Sequence, residues 1–232
     1  NTSIRDEIGI AWAAARAHWS AVQMRRDRLK DNDSGTSETR QGWMIPFLRE
    51  LGYDLEKSTT ELINGKTYAI SHRAANCDGF PVHIVGINQS LDKRPETGGT
   101  RLSPHALVQE YLNNNEHLYA LISNGRFVRL LRDATRLSRL SYLEFDLERI
   151  MEEDLFAEFA LLFRVIHASR MPKTRDSGEE AFIEFYHQEA LSSGSRIREK
   201  LSEAVEGSLK LLANGLLKHP SNSHLRNLAL QG

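Results

Sequence analysis

Residues 80–94 read FPVHIVGINQSLDKR, and this stretch decides the fold. Its first half is a short apolar run with the β-branched residues Val82, Ile84 and Val85, which is typical of a buried strand. A hairpin signal precedes the run and a capped helix follows it. We therefore predict a central strand that ends at Gly86-Ile87-Asn88 and leads into a loop that extends to Arg101.

Composition limits the classes of protein that this chain can represent. It has 232 residues, 40% of them hydrophobic, so it can bury a core. Lys and Arg total 30 against 31 Asp and Glu, so any basic surface has to be local. The single cysteine, Cys77, excludes an internal disulfide framework and suits a reducing cytoplasm. No apolar run is long enough to span a membrane, and the start has no signal-peptide pattern. We expect a cytoplasmic fragment of a longer protein, with no membrane partner.

Apolar periodicity predicts helices at the beginning of the chain. A long first helix, capped by Ser3 or Thr2, has its apolar face at Ile4, Ile8, Trp12, Ala15, Trp19 and Val22. A second helix should extend to Leu51, with Gly52 as its stop signal, and Pro46 should kink it or mark its first turn.

Turn residues and caps predict the elements around the central strand. Hairpin turns are expected at Asn64-Gly65 and Asn124-Gly125, with an irregular connection at residues 73–79. Ser103 should cap a helix that begins at Pro104. Another strand is expected at residues 140–145, and Asp154 should cap an apolar helix.

The order of these elements predicts an α/β fold with one mixed sheet flanked by helices and a helical C-terminal extension. We divide the chain into an N-terminal helix at residues 1–36, a core at 37–172 and a helical connector at 173–232. The connector has an apolar stripe that we expect to pack against the core or a neighbouring domain. This stripe comprises Ile197, Leu201, Val205, Leu209, Leu212 and Leu216.

Five segments carry a resemblance to a known family: RQGWMIPFLRELGYDL, PVHIVGINQSLDKR, SPHALVQEYL, LYALISNGRFVRLLRD and the helical residues 179–217. They resemble the N-terminal region of type II restriction–modification proteins, in which a PD-(D/E)XK nuclease-like domain precedes an adenine methyltransferase. They are especially similar to methyltransferase proteins of BREX and DISARM phage-defence systems. The resemblance implies a restriction-endonuclease-like core. It also implies that S-adenosylmethionine binds outside this chain, which has no NPPY-type motif and no glycine-rich cofactor loop.

The resemblance also implies where a nuclease site would lie. Metal-dependent phosphodiester hydrolysis needs clustered carboxylates to hold Mg²⁺ and a nearby cation. The acid after the hairpin maps to Ser71, the strand-exit acid to Gly86 and the lysine to Asn88. A family glutamine matches Gln109, and a helix-borne acid matches Glu38. Because glycine and asparagine cannot replace a carboxylate and an ammonium group, we expect a degenerate site that needs no cofactor. Mg²⁺ would bind only if displaced acids such as Glu38, Asp78 or Asp92 supplied ligands.

Basic residues around the central strand suggest contacts with duplex DNA. They comprise Lys93, Arg94 and Arg101 from the loop, and Arg126, Arg129 and Arg132 from the second hairpin. Such residues would position DNA through phosphates without reading its sequence, and a solvated basic edge is an equal alternative.

Three functions remain open at this point. The leading one is a DNA-engaging module with a degenerate nuclease site, in a restriction–modification or phage-defence methyltransferase. The second is an active Mg²⁺-dependent endonuclease with displaced ligands, so whether the chain is an enzyme stays open. The third is a scaffold that docks other defence-system subunits.

The histidines offer a further alternative, which we do not favour. His72, His83 and His105 are too widely spaced in the sequence for a typical zinc site, and no further ligand accompanies them. Ser71-His72 alone does not indicate a catalytic triad, because neither an orienting acid nor an oxyanion hole is evident.

Overall fold

A computed structural model describes residues 3–26, 33–95, 101–134 and 142–222 of the chain. Its helices are α1 Ile4–Arg26, a π-helical turn Glu38–Met44 that continues as α2 Ile45–Glu50, α3 Pro104–Asn113, α4 Leu147–Glu152, α5 Phe156–Ile166 and α6 Phe182–Lys218. Its strands are β1 Leu55–Lys57, β2 Glu61–Ile63, β3 Lys66–Tyr68, β4 His72–Ala74, β5 Phe80–Ile84, β6 Tyr119–Ser123, β7 Phe127–Arg132 and β8 Tyr142–Asp146.

Six strands form one mixed sheet in the order β1-β4-β5-β6-β7-β8. β5 and β6 are parallel and are connected through α3, whereas every other neighbouring pair in this sheet is antiparallel. β2 and β3 form a separate hairpin, and its turn residues Asn64 and Gly65 both have positive φ. The predicted mixed sheet, the central strand and both hairpin turns are confirmed.

Helices cover both faces of the sheet, so alternate residues of one strand enter different cores. Leu121 and Leu130 pack in a core with α1, α2, α4 and α5. Ile122 and Leu131 pack in a second core with α3. This two-sided burial explains why every residue of β5 and β6 is buried and why both strands are mainly apolar, with His83 and Ser123 as the polar exceptions.

The larger core is centred on Trp43, which is fully buried in the π-helical turn. Its ring lies against Trp19 of α1 and Phe47 of α2, with centroids 5.2 and 4.8 Å away. Its Nε1 donates to the carbonyl oxygen of Gly125 at 2.8 Å, which fixes the β6–β7 turn against the helix. Pro46 lies in the first turn of α2, as one of the two expectations had it, where the N–H that proline lacks is tolerated.

The structure corrects four local predictions. Residues 73–79 are not wholly irregular, because β4 extends to Ala74 and pairs with both β1 and β5. β1 and α4 were not predicted, and α4 is capped by Asp146. Asp154 does not cap α5 with its side chain; it has a φ of 55° and its carbonyl oxygen accepts from Phe156 N–H. The Ser3 and Ser103 caps are confirmed.

Contacts divide the chain into two compact units, of which the first ends at Glu184. The predicted core ended at residue 172, but residues 175–180 form a 3-10 helix within the first unit. The second unit begins at Phe185 and contains most of α6. None of the described helices is long and apolar enough to cross a membrane.

We predict that Trp43→Phe will lower the free energy of unfolding by about 2 kcal/mol or more, since it opens a cavity and leaves the Gly125 carbonyl unpaired. Trp19→Phe is the matched control: Trp19 is 3% exposed, but its Nε1 has no hydrogen-bond partner among the described residues. Urea denaturation should therefore give a smaller loss for Trp19→Phe. A larger loss for the control would contradict the role given to the Trp43 hydrogen bond.

Candidate functional site

The carboxyl ends of β5 and β6 meet at one edge of the sheet, where ligands commonly bind in open α/β sheets. Val85 N–H donates to Ser123 O at 2.9 Å and extends the parallel pairing by one residue. The Asn124 side chain donates to Gln89 O at 2.9 Å and holds the loop that follows β5. Ser71 lies at the same edge, because it precedes β4, which pairs antiparallel with β5.

Residues 33–36, which we call the crossing segment, pass over the end of β5 at Gly86. A Cβ atom on Gly86 would lie 2.0 Å from the carbonyl oxygen of Ser34 and 2.9 Å from Oγ1 of Thr36. Two of the atoms in closest approach belong to the Ser34 backbone, so they cannot move aside as a flexible side chain can. The position that maps to the strand-exit acid therefore has no room for a carboxylate while the crossing segment is in place.

Asn88, the residue that the resemblance aligns with a lysine, binds the crossing segment. Its N–H donates to Ser34 O at 3.2 Å, and its side-chain amide donates to Asp33 O at 2.8 Å. Thr39 adds a second link: its Oγ1 donates to Gly35 O at 2.7 Å and accepts from Ile87 N–H at 2.8 Å. Asn88 and Thr39 therefore hold the crossing segment against the end of β5.

Ser71 is also hydrogen-bonded to residues of the sheet. Its Oγ accepts from Ile84 N–H at 2.7 Å and lies 2.8 Å from Nδ1 of His72. Its N–H donates to Nδ1 of His83 at 3.2 Å. Burial, followed by the nearby Arg40 guanidinium, lowers the pKa of His83 to about 3 and that of His72 to about 4. Both imidazoles are therefore neutral near pH 7 and carry no charge towards a phosphate.

The acids proposed as displaced metal ligands do not gather at this edge. Oε2 of Glu38 lies 3.5 Å from Nη1 of Arg25. Asp78 is near the beginning of β5, where its carboxylate accepts from Arg175 N–H at 3.1 Å. Asp92 is bound to Arg129 through both carboxylate oxygens, at 2.7 and 2.8 Å. Within the described residues, no group of three or more His, Cys, Asp or Glu side chains could hold a metal ion.

Gln109 and Arg132 lie at the opposite edge of the sheet, since Arg132 pairs with the first residue of β6. Gln109 is 5% exposed, and its amide donates to Arg132 O at 3.0 Å. The Arg132 guanidinium binds Glu184 through two hydrogen bonds of 2.9 Å, and Tyr119 donates to the same carboxylate. This placement separates Gln109 from the expected nuclease edge and does not support a phosphate contact by Arg132.

Arg129 is also engaged inside the protein. Its side chain is 6% exposed and pairs with Asp92 and Glu144. The guanidinium carbon lies 4.7 Å from the centroid of the Tyr142 ring, and Nη1 lies 3.1 Å from Nδ1 of His105. This network ties the loop after β5 to β7 and β8, so its placement does not support a DNA contact by Arg129.

Four of the predicted basic residues remain open to solvent at this edge. Lys93, Arg94 and Arg101 are exposed, and the Arg126 side chain is 39% exposed. Arg126 lines a crevice of about 470 Å³ between the loop after β5 and the β6–β8 strands. The crevice is lined by Ile87, Asn88, Gln89, Ser90, Leu91, Asp92, Asn124, Arg126, Phe127, Arg129 and Glu144.

Sequence reasoning missed the crossing segment and its partners Thr39 and Arg40. No periodicity marks residues 33–36, whose Asp, Ser, Gly and Thr residues are typical of a loop. Arg40 Nε donates to Ile84 O at 2.8 Å, a contact between residues 44 positions apart that no local pattern indicates. The single signal available was Gly86 itself, since a glycine at a strand exit can mark a close backbone approach.

Comparisons with family models, with curated proteins and with solved structures find no match to this chain.

We predict that Gly86→Ala will lower the free energy of unfolding by about 1–3 kcal/mol, because the new methyl group would overlap the Ser34 carbonyl. Gly9→Ala is the control, since a Cβ there has no neighbour within 4 Å and alanine favours a helix by roughly 0.5–1 kcal/mol. Chemical denaturation measures both changes. A neutral or stabilising Gly86→Ala would show that the crossing segment does not pack as described.

The Asp92–Arg129 pair predicts an acid-sensitive contribution to stability. Hydrogen bonds from Arg129 lower the pKa of the Asp92 carboxyl in the folded protein. A lowered pKa contributes stability above the unfolded value, about 3.9, and this contribution is lost as the pH falls through the folded value. Melting temperatures measured from pH 6 to 2.5 should fall less steeply below about pH 4 in Asp92→Asn. A pH profile with unchanged slope would contradict the pairing.

Proposed function

We propose that this chain is a DNA-engaging module whose nuclease-like site is catalytically silent, within a restriction–modification or phage-defence methyltransferase protein. One observation carries the proposal. Ser71, Gly86 and Asn88, the positions that the family resemblance assigns to the two acids and the lysine, lie at a single edge of the sheet. This shared position supports a nuclease-like arrangement in which the reacting groups are replaced.

The packing at this edge supports a catalytically inactive site rather than a metal site rebuilt from other acids. Gly86 has no space for a side chain, and Asn88 is bound to the crossing segment. The candidate replacements Glu38, Asp78 and Asp92 pair with three different arginines in separate places. Because Mg²⁺ needs carboxylates that converge on one point, this arrangement disfavours the active endonuclease.

We predict that the chain will not cleave a plasmid or a labelled duplex in Mg²⁺ or Mn²⁺ across a range of concentrations. Gel electrophoresis measures this outcome. Metal-dependent cleavage that is lost in Glu38→Ala, Asp78→Ala or Asp92→Ala would instead establish the endonuclease alternative.

The basic residues that remain accessible to solvent support binding to the DNA backbone. Lys93 and Arg94 directly follow Asp92, a residue of the crevice wall, and Arg126 lines the crevice itself. The first turn of α3 is held close by, because His105 N–H donates to Leu91 O at 2.9 Å, and Arg101 precedes that helix. Exposed cations on one side of a molecule with a net charge of -1 provide a local attraction for phosphates.

We predict salt-dependent binding to a fluorescently labelled duplex, measured by anisotropy from about 50 to 200 mM salt. Replacing Lys93, Arg94 and Arg126 together by alanine should weaken binding about tenfold or more at low salt and flatten the salt dependence, because fewer phosphate contacts release fewer counterions.

The matched control replaces Arg5, Arg164 and Lys173 by alanine, which removes the same charge from residues outside the crevice wall. Equal weakening by both triple variants would show that net charge, rather than this surface, attracts the DNA. Absence of binding at the lowest salt would contradict the proposed function.

The exposed stripe on α6 favours a second candidate, a scaffold that docks another subunit. The six residues of this stripe are all exposed. Their exposed fractions are Ile197 67%, Leu201 62%, Val205 50%, Leu209 61%, Leu212 66% and Leu216 56%. An apolar stripe of this kind commonly marks an interaction surface. Two results together would favour the scaffold over the DNA module. The chain would not bind DNA, and it would associate with another subunit in a way that Leu201→Gln and Leu209→Gln abolish.

A further inference from the structure

The crevice has the size and position of a ligand site. Its volume of about 470 Å³ falls in the range of small-molecule sites, roughly 300–1,000 Å³. It lies beside the carboxyl ends of β5 and β6, where the chain changes direction from strand to loop. Its wall combines the partly buried ring of Phe127 with basic and acidic side chains.

Arg126 has unused hydrogen-bonding capacity at this crevice. Its Nε is buried and has no partner among the described residues. The nearest acid, Glu148, lies 3.7 Å from its Nη1, but the other carboxylate oxygen of Glu148 accepts from Arg26 at 2.7 Å. Because the Arg126 side chain is 39% exposed and Glu148 is shared with Arg26, an anion in the crevice can pair with the accessible part of the guanidinium.

The opposite wall offers acceptors instead of donors. The four charged side chains that line the crevice, Asp92, Glu144, Arg126 and Arg129, sum to zero, so together they do not repel an anion strongly. The carboxylate oxygens retain lone pairs that can accept from an amino group. Asn124 contributes little to a ligand, because its amide already donates to Gln89 O and its Oδ1 accepts from Arg126 and Phe127 N–H.

We propose that this crevice holds one unpaired nucleotide of a bound DNA. The base packs against Phe127, Arg126 binds a phosphate oxygen, and the Asp92–Glu144 wall accepts hydrogen bonds from an exocyclic amino group. The nucleotide has to be unpaired, because a paired base has its face stacked and its edge occupied. Cytosine is preferred to thymine, since its N4 amino group donates where thymine O4 only accepts. This inference rests on the proposed engagement of DNA.

Three duplexes test the inference with the full 232-residue chain. They are identical except that one is fully paired, one has a single bulged dC and one has a bulged dT. Anisotropy should show the dC bulge binding about fivefold or more tightly than the paired duplex, as expected for one base–aromatic contact. The dT bulge should bind more weakly than the dC bulge, and it controls for the bend that any bulge produces.

Phe127→Leu should remove the preference for the dC bulge. Phe156→Leu is the matched control, since Phe156 is 42% exposed on α5 and does not line the crevice, and it should keep the preference. Arg126→Gln provides a second test if Phe127→Leu does not fold. Equal affinity for all three duplexes overturns the nucleotide site while DNA engagement stands. No binding to any duplex overturns both proposals.

Discussion

The contact between Gly86 and the carbonyl oxygen of Ser34 constrains the rest of the site. A chain that crosses the end of a central strand at this distance tolerates only a glycine beneath it. The neighbouring residues then take roles that follow from the crossing: Asn88 and Thr39 hydrogen-bond its backbone, and Arg40 binds the Ile84 carbonyl. At this edge of the sheet, the backbone of the crossing segment therefore occupies the space beside Gly86, and its carbonyl groups accept hydrogen bonds from Asn88 and Thr39.

Charge pairing restricts function in a second way. Arg129 and Arg132 lie on β7 as expected, but each is held by carboxylates from other elements. Burying a guanidinium group without a carboxylate partner would cost free energy. Because these carboxylates already bind Arg129 and Arg132, neither arginine is placed to bind a phosphate. Arg126, in the turn before the same strand, keeps an unpaired Nε and remains half exposed. Arg126 is therefore the most accessible of these three arginines.

The sequence predicted features with local causes and missed those with distant ones. β5 was evident from its β-branched run, and the helix at Pro104 from the serine cap before it. β4 was missed because three residues give no periodic signal, and its strand character comes from pairing with β1 and β5. The partners of Arg129, Asp92 and Glu144, come from a loop and from β8, which no spacing along the chain connects. Gly86 and Asn88 could be read from the sequence, whereas the segment that packs over Gly86 and binds Asn88 could not.

Amide hydrogen exchange at Ile87 and Asn88 is the most direct test of the filled edge. Their N–H groups donate to Thr39 Oγ1 and Ser34 O, so their protection reports whether the crossing segment stays in place. The account predicts protection of both amides comparable to that of Val85, which belongs to the β5–β6 pairing. Rapid exchange at Ile87 and Asn88 with a protected Val85 would show that the segment opens in the native protein. That result would contradict the claim that the crossing segment always covers Gly86. It would also favour the alternative of an active endonuclease with displaced metal ligands.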